Sequence, residues 1–194
     1  MSNNLINSTA DNYFSMLGLA VSFDVDKTTL SHNYHEIQKT IHPDNFANAT
    51  DLERRLSVQK TAQINDALET LKNPLRRSIY LLSLYGIELN DNDTSIDPSF
   101  LMEQMELREN LSEVASKEDP LGELDDILDD VNARIKRAIN DLSDLFKKLL
   151  FDNEKDESNE QLLKEVKAQT LKMQFLNRLQ EECLNKEEDL ADQL

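Results

Sequence analysis

Between residues 121 and 151 the apolar side chains Leu124, Leu128, Val131, Ile135, Ala138, Leu142, Leu145 and Leu149 return at alternating spacings of four and three. That recurrence places them on one side of a long helix, a heptad-like seam that neighbours have to cover. With 3 Gly and 4 Pro in 194 residues, the chain is too poor in turn residues for a β fold to supply the cover. The expectation is an all-α protein. The absence of Trp and the 6% aromatic content point to cores filled by aliphatic side chains.

Shorter helical patterns at 98–115 and 160–190 flank the seam, and DNEKDESNE at 152–160 reads as a solvated turn, so residues 98–194 are expected to form a three-helix bundle. Asp97-Pro98 supplies a cap followed by a proline at the first helical position. Ahead of it, IELNDNDTSID at 87–97 is acidic and turn-prone and reads as a linker. Residues 11–86 read as a separate four-helix unit, and residues 1–10, polar and without period, as a mobile tail. In that unit Asp26 can cap a helix carrying Leu30, Tyr34, Ile37 and Ile41, while Leu52, Leu56, Ile64, Leu68 and Leu71 trace a second apolar stripe. Two such helices joined by a short loop are expected to pack as an antiparallel hairpin. Asn73-Pro74 opens a further helix that Gly86 can end, and the cluster Tyr13, Phe14, Met16, Leu17 and Leu19 suits a short helix against the hairpin.

Charge narrows the function. The net charge of −17 disfavours nucleic acid and anionic membranes, which attract clustered Lys and Arg. It is unevenly spread: residues 1–86 carry 8 Lys/Arg against 9 Asp/Glu, and residues 87–194 carry 13 against 29. No apolar run approaches the roughly 20 residues that span a bilayer, and MSNNLINSTADNYF lacks an export signal, so a soluble cytoplasmic protein is expected. Cys183 is alone, which excludes internal disulfides and multi-thiolate zinc, and its helical context suggests a packed thiol.

Two features have no structural duty to explain them. The first is His42-Pro43-Asp44 between the helices of the hairpin: Pro43 disfavours helical dihedrals at His42 and lacks a backbone donor, so the chain is expected to turn outward and present His42 and Asp44. The second is a pair of apolar sectors on the helix beginning at Pro98. Phe100, Leu107, Leu111 and Val114 share one arc, while Leu101, Met102 and Met105 fall about 100° to 200° from Phe100, with Arg108 and Glu109 beside them. The last helix repeats the oddity: Leu162, Val166, Met173 and Leu176 define its core arc, and Phe175 lies roughly 140° from the arc centre. Such residues either bury the helix on a second side or bind a partner.

The hairpin with His42-Pro43-Asp44 and Phe46 resembles a J domain, and FLMEQMELRE at 100–109, followed by a helical C-terminal half, resembles the HscB co-chaperones of iron–sulfur cluster assembly. The likeness runs from about Asp11 to the end of the chain. It implies a first half that stimulates an HscA-type chaperone ATPase through His42, Pro43 and Asp44, with Lys39 as a docking cation. It implies a second half that binds the IscU-type scaffold through Leu101, Met102, Met105, Glu106, Arg108, Glu109 and Phe175. No catalytic residue, cofactor or metal site belongs to this reading.

Three other readings compete. An enzyme would need His32, His35 and His42 as ligands or bases, yet there is no HExxH and no Gly-rich phosphate loop; metal analysis separates the cases. A coiled-coil adaptor would oligomerise through the 121–151 heptads, which a scattering mass detects. A J protein for general unfolded clients would bind many peptides through residues 98–190 without preference for a scaffold.

Overall fold

The computed structural model describes residues 12–42, 50–89, 97–151 and 157–192. The described residues form seven α-helices and one short 3-10 turn. The chain divides into two compact units, the first Met1–Ile87 with Leu150–Asn153, the second Glu88–Leu149 with Glu154–Leu194.

In the first unit, α1 (Tyr13–Met16) is set by a capping box in which Asn12 accepts from Ser15 N and Ser15 Oγ answers the Asn12 backbone N–H at 3.0 Å. Helix α2 spans Lys27–Ile41, with the Asp26 carboxylate accepting from Thr28 N and Thr29 N. The bond from the Thr29 hydroxyl, supported by those two backbone N–H groups, holds the Asp26 carboxyl below its ordinary pKa. Helix α3, Asp51–Lys72, starts on a Thr50/Glu53 capping box, and α4, Pro74–Leu84, starts on Asn73 with proline in its first turn. It ends at Gly86, whose φ of 75° permits paired bonds from Gly86 N to Ser83 O and from Ile87 N to Leu82 O.

Tyr34 Oη donates to Asn65 at 3.0 Å near the middle of α2, while Ser57 Oγ donates to Ile41 O at 2.7 Å at its end, so α2 and α3 run antiparallel. Helix α1 closes the unit: Tyr13 stacks on Tyr80 of α4 at 4.4 Å and donates its backbone N–H to the Tyr80 hydroxyl, while Asn33 ties α2 to Leu17 O. Phe14, Leu17, Phe23, Leu30, Ile64, Ala67, Leu71, Leu81 and Leu82 are buried. Arg77 is buried too, with its guanidinium 5.0 Å over the Phe23 ring and Nη1 donating to Leu71 O. Burial lowers its pKa, and Asp24 opposes the shift.

The expected stripe on α3 is correct only in its second half. Ile64 and Leu71 are buried and Leu68 half-buried, but Leu52 and Leu56 are exposed by 68% and 47%. They sit about 80–120° from the mean direction of the buried Ser57, Ile64 and Leu71. That phase is taken near the α3 start by Ser57, buried against the end of α2.

The second unit contains α5 (Pro98–Glu113), a 3-10 turn at Val114–Ser116, α6 (Pro120–Phe151) and α7 (Glu157–Ala191). Asp97 caps α5, accepting from Ser99 N at 2.9 Å. Helix α7 begins at Glu157, before the expected 160, so the last residues of the expected turn are helical. The part of the expected turn at 152–156 lies outside the described residues, as do the tail at 1–10 and most of the linker. Gln180 and Gln169 of α7 bond Asn132 and Asp141 of α6, an antiparallel pairing. Contacts of Phe100 with Phe175 and of Arg108 with Glu182 rise together along α5 and α7, so those two run parallel, and the three form an up-down-up bundle. Leu111, Val114, Leu124, Val131, Leu179, Cys183 and Leu190 form one part of its core, with Leu107, Ile127, Leu128 and Ile135 packed around them, and Leu142, Phe146, Val166, Met173 and Leu176 are buried as well. Cys183 is fully buried, and burial pushes its thiol pKa up, with Glu182 adding to the shift.

Gln104 was not foreseen in the core arc of α5. It is 1% exposed, and among the described residues neither its Oε1 nor its Nε2 finds a hydrogen-bond partner. Leaving buried amide atoms unpaired costs about 1–3 kcal/mol, so Gln104→Met, which conserves length, is expected to raise stability by about 1–2 kcal/mol. Thermal unfolding of the two proteins checks this; an unchanged or lower midpoint contradicts it.

Candidate functional site

Two surfaces carry the residues singled out from sequence. The first lies at the tip of the hairpin. His42 caps the C-terminus of α2 with an extended ψ of 133°, its backbone N–H bonded to Gln38 O at 3.0 Å, and it is exposed. Pro43 and Asp44 lie outside the described residues. Lys39 is on the outer face of α2 and engages Glu36 at 2.6 Å, a contact that lowers the Glu36 pKa. His32 and His35 are exposed on the same face. Among the described residues no three His, Cys, Asp or Glu side chains gather in a way that could hold a metal ion.

The base of the tripeptide is fastened by residues that periodicity did not mark. Helix ends leave their last carbonyls unpaired; here Ile41 O accepts from Ser57 Oγ at 2.7 Å and from Thr61 Oγ1 at 3.4 Å. Two hydroxyls of α3 thus hold the last turn of α2 immediately before His42. The available signal was a serine at the buried phase of an otherwise aliphatic stripe.

The second surface is on α5. Leu101, Met102 and Met105 are exposed by 39%, 66% and 71%, and Glu106 and Glu109 are exposed beside them. Phe175 is half-buried and meets Phe100 edge-on, with ring centroids 6.4 Å apart, and Lys172 lies 5.5 Å over the Phe100 ring. The ring that lies off the core arc of α7 therefore faces α5. Arg108 is also turned to α7, where Glu182 receives its guanidinium at 3.0 Å. On the opposite flank Glu103 binds Arg134 of α6 at 2.8 Å. The structure therefore sets Leu101, Met102, Met105, Glu106 and Glu109 on the outer face of α5, with Arg108 and Phe175 in the α5/α7 seam. Among the described residues no helix is long and apolar enough to cross a membrane.

Comparison with known proteins gives this arrangement a family. Residues 96–183 match the family model described as the HSCB C-terminal oligomerisation domain. The chain is 40% identical over 182 residues to a co-chaperone protein HscB homolog of Shewanella pealeana, covering 93% of this chain and 99% of that protein. A homolog of the same description from Aliivibrio salmonicida is 39% identical over 184 residues, covering 94% and 98%. Among solved structures, the chaperone HscB from Vibrio cholerae superposes with a TM-score of 0.78 at 40% identity, over 92% of this chain and 99% of that one. Human co-chaperone HscB superposes with a TM-score of 0.79 at 31% identity, over 93% and 84%. An all-α co-chaperone, made of a J domain and a helical C-terminal domain, is the class that fold and similarity define. The chain belongs to the HscB co-chaperone family.

Proposed function

We propose that this protein stimulates the ATPase of an HscA-type chaperone with its J domain and delivers to it an IscU-type scaffold held by its C-terminal bundle, in iron–sulfur cluster biogenesis in the cytoplasm. The observation that carries the reading is the outer face of α5, where Leu101, Met102 and Met105 stand in water. Large apolar side chains grouped on one helix face mark an interaction site, and methionine adapts to the shape of a partner.

The protein performs no chemistry in this scheme. It lowers a barrier in the chaperone by presenting His42, Pro43 and Asp44 directly after an α2 end that Ser57 and Thr61 bond through Ile41 O. Asp44 offers a carboxylate to a partner arginine, and Lys39 adds positive charge to the same approach. Scaffold bound to the other unit reaches the chaperone at high effective concentration, because one chain carries both. Domain limits of 11–86 and 98–194, joined by 87–97, fit this division of labour.

A pull-down with the intact protein, with and without ATP, tests the reading. ATP-dependent capture of an HscA-type chaperone and ATP-independent capture of an IscU-type scaffold are expected; capture of many unfolded chains without the scaffold would favour a general J protein. The description of the matched family model, an oligomerisation domain over residues 96–183, supports a second reading in which this region binds another copy of the chain. A scattering mass that stays monomeric while the scaffold binds excludes that competitor.

The Ser57 clamp gives a prediction of its own. Ser57→Ala removes a buried hydroxyl bond and is expected to cost about 1 kcal/mol, with stimulation of the chaperone reduced although His42 is intact. Restoration by Ser57→Thr supports the clamp; full stimulation by Ser57→Ala contradicts it.

A further inference from the structure

We propose that Glu182 of α7 positions Arg108 of α5 to receive a partner carboxylate, so that the partner surface extends across the α5/α7 seam; the inference rests on the reading of that surface as the scaffold site. Arg108 Nε lies 3.0 and 3.3 Å from the two Glu182 oxygens, and Nη2 lies 3.2 Å from Oε1. Glu182 thus occupies the Nε side of the guanidinium. Of the five N–H donors of an arginine, this leaves the two on Nη1 and the second on Nη2, the edge that takes a carboxylate by two parallel bonds.

The side chains of Arg108 and Glu182 are 35% and 44% exposed, so solvent, and with it a docking molecule, reaches the pair. An ion pair so exposed contributes little to folding. Its effect lies elsewhere: a long side chain held in its binding geometry loses less freedom when the partner arrives. Arg108 lies two turns beyond Leu101 and one beyond Met105, on the flank of the exposed apolar row. Glu106 and Glu109, also exposed, are on the same helix. A fitting partner therefore presents an apolar ridge, basic groups toward Glu106 and Glu109, and one Asp or Glu toward Arg108. Glu182 lies seven residues after Phe175, hence on the same face of α7, a spacing that places both against α5.

The test uses the full-length chain with Glu182→Gln and Arg108→Ala, singly and together. Nitrogen-15 spectra of the free protein are expected to show the Arg108 Nε–H protected from solvent exchange, and to lose that protection in Glu182→Gln. The dissociation constant for IscU-type scaffold is expected to rise about five- to tenfold in Glu182→Gln, the scale of one oriented charge-assisted hydrogen bond, with an unchanged melting temperature. Because Glu182 acts through Arg108, Glu182→Gln should add nothing once Arg108 is alanine. Wild-type affinity in Glu182→Gln, or an equal loss with Arg108 absent, overturns the proposal. Failure of the wild-type chain to bind scaffold at all is a different result: it removes the scaffold reading, and the partner carboxylate with it.

Discussion

His42→Gln and Asp44→Ala are each expected to abolish stimulation of an HscA-type ATPase while leaving scaffold binding intact. The size of the effect follows from the mechanism proposed, in which the tripeptide is the only element that changes the chaperone's barrier; everything else brings partners together. His42 is exposed at the end of α2, and substitutions at such positions ordinarily alter stability by no more than about 0.5 kcal/mol. Circular dichroism and the melting temperature of His42→Gln should therefore match the wild type while steady-state ATP hydrolysis falls to the chaperone's unstimulated rate. Retained stimulation in either variant would reduce the tripeptide to a turn.

The second large effect is expected from Leu101, Met102 and Met105 changed together to Ala. Truncating apolar anchors at an interface commonly costs about 1–2 kcal/mol or more each, so the dissociation constant for scaffold should rise well over tenfold. All three are exposed, and the bundle core is built from other residues, so the variant should melt like the wild type. Phe175 is left out of this test because it packs on Phe100, and its removal would mix loss of binding with loss of the α5/α7 seam. Unfolding of the triple variant would make these residues part of the core and defeat the assignment.

The contrast between these side chains and Phe175 shows how far periodicity reaches. Along α6 the alternating seam leads directly to the buried Leu124, Val131, Ala138, Leu142 and Leu149, because a helix flanked on one side has a single buried phase. Proline after Asp97 and after Asn73 marks helix starts for a local reason, the missing N–H at a position that needs none. Periodicity does not show which neighbour covers a given arc. Phe175 and Leu101 both lie off the core arc of their helices, yet one is half-buried by a ring of α5 and the other stands in solvent. Leu52 and Leu56 belong to an apolar stripe in sequence but lie outside the buried phase fixed by Ser57, Ile64 and Leu71. Polar residues that serve tertiary contacts are harder still. Ser57 and Glu182 have ordinary helical surroundings, and their partners are 16 and 74 residues away; Gln104, equally ordinary in sequence, has none among the described residues. Pairings at such separations exist only once the helices are packed.

The central claim is that one chain couples scaffold binding to ATP hydrolysis by holding both partners. Steady-state ATPase of an HscA-type chaperone, measured with intact chain, with IscU-type scaffold, and with both, tests it most directly. The wild type with scaffold should stimulate beyond the product of the separate effects. The Leu101/Met102/Met105 variant should keep the chain's own stimulation and lose the extra increment, and His42→Gln should lose both. Full synergy in the Leu101/Met102/Met105 variant would contradict the account, because scaffold would then be reaching the chaperone without being carried on α5.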